Sequence, residues 1–374
     1  FAASHRVNKD EIARVTAEAV AVARANAPAR KSPVRLAPVK PATDRWTTPF
    51  RQNPFEAPIS DKLALLQEAN ENVRKVKGVF LAASNMSFHS EDKFFASTDG
   101  SYIQQFIVLS YPGLTASARD FERRLSRARS YVPLAQNGGY EHVLAADLAG
   151  HGRRVGEEVM EHLAAPPVTP GKKDLVLLPS HLYLTIHESI GHSTELDRAL
   201  GYEANFAGTS FLTPDKMGKF RVGSELINVY GDRTIEGGMA TCGYDDDGVK
   251  TTRFDILRKG VFQHFQTIRD QAHLVGEKES RGCCYADSYD SFPFQRMPNV
   301  WLEANPKPTT VDDLLAGVDD GVLIDGRGSY SIDQQRYNFQ FGGDAFWEIK
   351  GGKKTRMLAD VAYKASTPDF WGAC

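Results

Sequence analysis

The spacing of apolar positions divides the chain into a helical opening, a run of strands and a long β-rich remainder. In NKDEIARVTAEAVAVARANA, Asn8 with Glu11 three residues on makes an N-cap pair, and the Ala-rich run predicts a helix that stops near Ala27. Leu63, Leu66, Val73 and Val76 recur at helical spacing between Ser60 and Gly78, predicting a second helix. Residues 79–86, 93–97 and 102–109 are rich in Phe, Val and Ile and read as strands, with Thr98-Asp99-Gly100 as a hairpin turn. A further helix is predicted from about Leu144 to Leu163. After the short strand DLVLLP, Leu182, Ile186 and Ile190 fall four apart, which predicts a helix capped by Ser180 and closed by Gly201. From about Asn228 onward, turn signals at YDDDG, RKG, IDGRG and IKGGK separate alternating runs, the pattern of an antiparallel meander.

Composition marks the joints. Seven prolines between Pro28 and Pro58 predict an extended connection without regular structure, whose Trp46, Phe50 and Phe55 pack against the body. AAPPVTPGKK places a boundary between a first domain, 1–165, and a second, 174–374. The fold class expected is α+β: an N-terminal helix-and-antiparallel-sheet domain, then a β-rich domain carrying one helix with histidines. A net charge of −2 without a basic face excludes nucleic acid as a partner. Four unevenly spaced cysteines point to free thiols and a reducing compartment. No apolar run is long enough to span a membrane. The chain starts at Phe1 rather than Met and stops at Cys374, as a processed form or fragment would, so a leader could be missing.

The predicted helix from Ser180 holds His187, Glu188, His192, Glu195 and Asp197 within HESIGHSTELD. Zinc accepts imidazole nitrogen, and a neighbouring carboxylate can take the proton of a water the metal polarises. In a regular helix, at about 100° per residue, positions five apart diverge by about 140°, so both rings could not face one ion. A single π-type turn would realign them, with Gly191 as the place where the backbone deforms. The plain alternative is two histidines that cap or pair locally. Glu195 and Asp197 would either orient an imidazole N–H or meet a substrate amine.

HESIGH followed by STELD resembles the HExxxH helix of the TldD/PmbA family of bacterial zinc metallopeptidases. ALGYEANFAGTSFLTPD, TIEGGMATCGYDDDG, QRMPNVWLE and ASTDGSYIQQ resemble family sequence too, so the likeness covers most of the chain. The resemblance implies a cytoplasmic, zinc-dependent peptidase of flexible or unfolded peptides, working as a homodimer or with a related subunit. It makes His187 and His192 zinc ligands and Glu188 the general base. It also implies a third ligand, a cysteine in a glycine-rich stretch followed by Gly-Lys. Cys374 is the candidate here, but STPDFWGAC lacks that context, so the ligand is expected beyond the last residue.

Other residues carry weaker expectations. Arg296, Tyr202 and Glu203 are candidate substrate contacts, the arginine for a peptide carboxylate, although a core ion pair explains Arg296 or Glu203 equally well. Cys283-Cys284 reads as buried thiols, Asp245-Asp246-Asp247-Gly248 as a solvated turn, and His264 and His273 as structural. Two rivals stay open: a non-catalytic peptide-binding subunit of a two-chain peptidase, and a metal-dependent hydrolase of non-peptide amides.

Overall fold

The computed structural model describes residues 1–307 and 309–374. Helix α1 (Lys9–Asn26) is capped as expected, Asn8 accepting from the Glu11 N–H at 3.0 Å, and buries none of its residues. Strand β1 (Thr43–Thr47) forms inside the proline-rich segment, paired in parallel with a later strand. The prolines at 41 and 49 flank it and leave five residues whose N–H groups are free to pair, which is why the expectation of no regular structure fails there. Phe50 and Phe55 pack edge-on against Phe106 and Phe88.

Helix α2 (Ile59–Arg74) leads into β2 (Val79–Ala96) and β3 (Tyr102–Asp120), one long antiparallel hairpin that replaces the three shorter strands expected. Strand β3 is the centre of this sheet, and β4 (Leu125–Tyr131) and the two-residue β5 (Gln136–Asn137) also pair with it. The helix expected from Leu144 is two: α3 (Tyr140–Ala145) and α4 (Leu148–Ala164), broken at Asp147, whose backbone is left-handed and whose carboxylate caps Gly150 N–H. Helices α2 and α4 cover one sheet face, burying Ala69, Val73, Leu114, Ala116, Val155 and Val159. Gly152 lets them approach: a Cβ there would lie 2.8 Å from Asn72 Cβ and 2.9 Å from Ala69 O.

The second half begins with β6 (Asp174–Leu177), which feeds α5 (Pro179–Ile186) and, after the site described below, the short α6 (Leu196–Ala199). It continues through β7 (Val229–Asp232), β8 (Arg253–Arg258), β9 (Val261–Phe262), β10 (Cys284–Tyr285), β11 (Phe294–Gln295) and β12 (Val300–Leu302). Then come α7 (Val311–Ala316), β13 (Asp320–Asp325), β14 (Tyr330–Ile332), β15 (Asn338–Phe341), β16 (Ala345–Lys350), β17 (Lys353–Leu358), β18 (Tyr363–Ser366) and α8 (Thr367–Gly372).

These strands are not one meander. They make sheets ordered β12-β7-β8-β9, β17-β16-β13-β6 and β14-β15-β18, with β10 and β11 as a separate ribbon. Strand β6 runs parallel to β13, so α5 is delivered from the sheet edge into the middle of the half. There Ile186, Ile190 and Leu196 join Phe254, Ile256, Phe262, Phe265 and Trp371 in the largest apolar cluster. Each such side chain contributes roughly 1.5–3 kcal/mol by burial, enough to hold a helix whose hydrogen-bond ladder is interrupted.

Candidate metal centre

Helix α5 starts at Pro179, two residues earlier than a Ser180 cap would allow, because Ser180 is not its cap: the hydroxyl donates to Asp325 and accepts from Gly326 N–H at 3.1 Å. At His187 the helix widens into a π-turn, His187–Gly191, in which His192 N–H donates to His187 O, five residues back. The expected realignment is present. The two imidazole centroids lie 4.5 Å apart at 79°, and ligand atoms of His187, Glu188 and His192 all fall within 4.8 Å of one another.

A π-turn and the 3-10 turn after it (His192–Thr194) leave carbonyls without regular helical donors, and the sequence supplies them from side chains. Ser193 Oγ donates to Ser189 O and Ile190 O, Thr194 Oγ1 to Ile190 O and Gly191 O, and Gln266 Nε2 to Gly191 O at 2.6 Å. Trp371 Nε1 donates to Ser189 Oγ at 2.9 Å, so α8 braces the turn from behind. Gly191 has an ordinary helical backbone, φ −54 and ψ −62. Its lack of a side chain serves packing instead: a Cβ would lie 2.5 Å from Met297 Sδ.

Glu188 and His192 are buried, and His187 stands at the open rim. Although the residue is exposed at the rim, desolvation of its ring where it turns into the site, then the neighbouring His192, pushes the His187 pKa down to about 4, so this imidazole keeps its lone pair for a metal near neutrality. His192 Nδ1 lies 2.6 Å from Glu195 Oε2. A carboxylate only accepts, so Nδ1 carries the hydrogen and Nε2 is left free. Burial raises the pKa of Glu195, but the His192 hydrogen bond and the charges of His192, Arg198 and Arg296 outweigh it and hold the carboxyl below its usual range. Arg198 Nε lies 2.5 Å from Glu195 Oε2 and 3.4 Å from Glu203 Oε2.

Glu195 is buried with its Oε2 against His192 and Arg198, the placement that the first of its two expected roles, orienting an imidazole N–H, requires. Asp197 is buried as well, its Oδ1 accepting from Arg198 N–H at 2.8 Å. Tyr202 is exposed on the turn after α6. Arg296 forms no ion pair among the described residues, lies 5.5 Å over the Phe294 ring, and precedes the Met297 that packs on Gly191. Cys374 is not brought to the histidines. It is exposed beyond α8, its Sγ 3.9 Å from Phe370 O, because Trp371 anchors that helix behind the turn rather than before the imidazoles.

Cys283 and Cys284 are buried free thiols. Asp245 is no solvated turn residue: it is buried and accepts from the N–H groups of Asp247, Val249 and Cys284, while Asp246 pairs with Lys93. Sequence reading missed Arg198, Gln266, Met297 and Arg336. Only Arg198 had a local signal, its i+3 spacing from Glu195; the others reach the site from remote elements.

Two imidazoles with one nitrogen free, an adjacent buried carboxylate and a second carboxylate fixing a histidine are a donor set that fits zinc. The family description "PmbA/TldA metallopeptidase C-terminal domain" matches residues 170–374, and the chain belongs to the PmbA/TldD metallopeptidase family. It is 24% identical to Metalloprotease MJ0996 of Methanocaldococcus jannaschii over 378 residues, 99% of this chain and 78% of that protein. It is 25% identical to a zinc metalloprotease TldD homolog of Saccharolobus solfataricus over 213 residues, 56% of this chain and 45% of that protein. Among solved structures it resembles TldE from Thermococcus kodakarensis, with a TM-score of 0.77 at 19% identity over 98% of this chain and 78% of that one. A Thermotoga maritima protein named for modulating DNA gyrase gives a TM-score of 0.78 at 18% identity, covering 99% and 78%.

Proposed function

We propose that the chain is a zinc-dependent peptidase of flexible or unfolded peptides, with His187 and His192 holding the metal and Glu188 as general base. The observation that carries this reading is the π-turn that sets both imidazoles and the Glu188 carboxylate within 4.8 Å. Zinc, when bound, would polarise a peptide carbonyl and acidify water. Glu188 takes the water's proton at a carboxylate oxygen and returns it to the departing amine. Glu195 keeps His192 in the tautomer that leaves Nε2 free, and Arg198 keeps Glu195 ionised and in place. Arg296 offers a cation at the rim for peptide oxygens.

Partnership with a second copy or a related subunit is supported by the likeness to TldE, and a cytoplasmic setting by four free cysteines. No helix of the described residues is long and apolar enough to cross a membrane. The test is Glu188→Gln. Peptide hydrolysis is expected to fall by roughly 10²–10⁴-fold with zinc still bound. Undiminished hydrolysis would remove Glu188 from the chemistry.

A further inference from the structure

A guanidinium without an acid partner stands beside the metal centre. Arg336 lies on the turn between β14 and β15, in a left-handed backbone with φ +63 that glycine fills more easily. The turn is held firmly: Arg336 N donates to Asp333 O at 3.1 Å, the Asp333 carboxylate accepts from Tyr337 N and Asn338 N at 2.9 Å each, and Thr367 Oγ1 donates to Arg336 O at 2.8 Å. Arg336 Nη2 donates to Ala207 O at 2.8 Å, and Arg198 Nη1 donates to that same carbonyl at 2.8 Å. One carbonyl oxygen therefore separates Arg336 from Arg198, and Arg198 touches the Glu195 that holds His192.

The two arginines differ in what neutralises them. Arg198 faces Glu195 and Glu203. Arg336 forms no ion pair with any acid of the described residues: its Nη1 reaches only the Asp333 carbonyl, at 3.4 Å, and its Nε–H, like that of Arg198, is buried with no hydrogen-bond acceptor. Burial and then the charge of Arg198 lower its pKa, with Glu188, Glu195 and Asp333 acting in the opposite sense. A half-buried, unpaired cation costs stability unless something else supplies the anion, and the planar fork of arginine matches a carboxylate in two places.

We propose that Arg336 is the docking point for a carboxylate of the peptide substrate, either its C-terminal carboxylate or an acidic side chain near the cleaved bond. This deepens the peptidase reading and rests on it. Arg336 thereby selects peptides by charge, from a different element than the one that carries Arg296.

The test is direct binding to metal-free protein, so that zinc cannot itself attract the anion. Fluorescein-labelled alanine-rich peptides are titrated by anisotropy in two matched pairs: free C-terminal acid against amide, and internal Glu against Gln. Wild type is expected to prefer the charged member of one pair by roughly tenfold or more. The pair that shows the preference identifies which carboxylate docks. Arg336→Gln, which makes no new demand on the left-handed backbone, should abolish the preference while binding the uncharged member as wild type does. Arg336→Lys should keep part of it. Binding without a charge preference, or a preference that survives in Arg336→Gln, overturns the assignment and leaves the peptidase reading intact. No binding of any peptide overturns the assignment as well, while the peptidase reading stands or falls on Glu188→Gln.

Discussion

At Asp197 burial, then Glu195 and Glu203, push the carboxyl pKa up to about 7, against the Arg198 N–H and charge that pull it down. The folded chain thus holds a proton between pH 4 and 7 that the unfolded chain, with its ordinary carboxyl near 4, has already released. Stability from this group is therefore present at low pH and lost as pH rises through that window. Asp197→Asn, which never carries the charge, should be more stable than wild type at pH 8 by about 1–3 kcal/mol, the gap closing near pH 4. Urea unfolding at both pH values checks this, and a gap independent of pH would contradict it. His187 has the opposite linkage: its pKa of about 4 lies below the unfolded value, so stability falls as pH drops from about 6.5 toward 4. That leaves the imidazole unprotonated near neutrality, as a ligand must be.

At the scale of the element, the π-turn was legible because helical period is a strict ruler: two ligands five apart cannot share a face without one extra residue in the turn. The reason for Gly191 was not legible. The sequence suggested a deformable backbone, whereas the structure shows helical torsions and a methionine filling the space a Cβ would occupy. A helical glycine in open space and one packed against a neighbour predict opposite signs. With nothing in the way, Ala would be favoured over Gly in a helix by about 1 kcal/mol. Against Met297, Gly191→Ala is expected to cost about 1–3 kcal/mol, and adding Met297→Ala should lose less than the sum of the single changes. A stabilised Gly191→Ala protein, or strictly additive unfolding energies, would refute the packing account. Ser180 was misread for a related reason: local sequence made it a cap, but its hydroxyl is claimed by Asp325 from far along the chain. Arg336 was invisible for the same reason, since only the closing of β14 against β15 carries it to Ala207.

Across the whole molecule, one buried arginine joins the first sheet to the second half. Arg129 on β4 pairs with Glu158 at 2.7 Å, Asp344 at 2.7 Å and Asp325, and Asp325 also takes the hydroxyl of Ser180 at the start of the metal helix. Removing the cation strands three carboxylates, so Arg129→Met is expected to cost about 3–5 kcal/mol in chemical denaturation. An unchanged midpoint would mean the cluster holds nothing together. The α+β class, α1, α2 and the β2–β3 hairpin region were readable from period alone; β1, β4, the parallel pairing of β6 with β13, and the several sheets in place of one meander were not, because those pairings are set by the partner strand rather than by local period. The central claim is that the five-residue spacing builds a zinc site. The measurement that tests it most directly is zinc content by elemental analysis of the chain after equilibration with zinc and removal of excess, beside a His187→Ala, His192→Ala variant. The account predicts about one zinc per chain, lost in the variant. No zinc in the parent chain, or equal zinc in both, would contradict it.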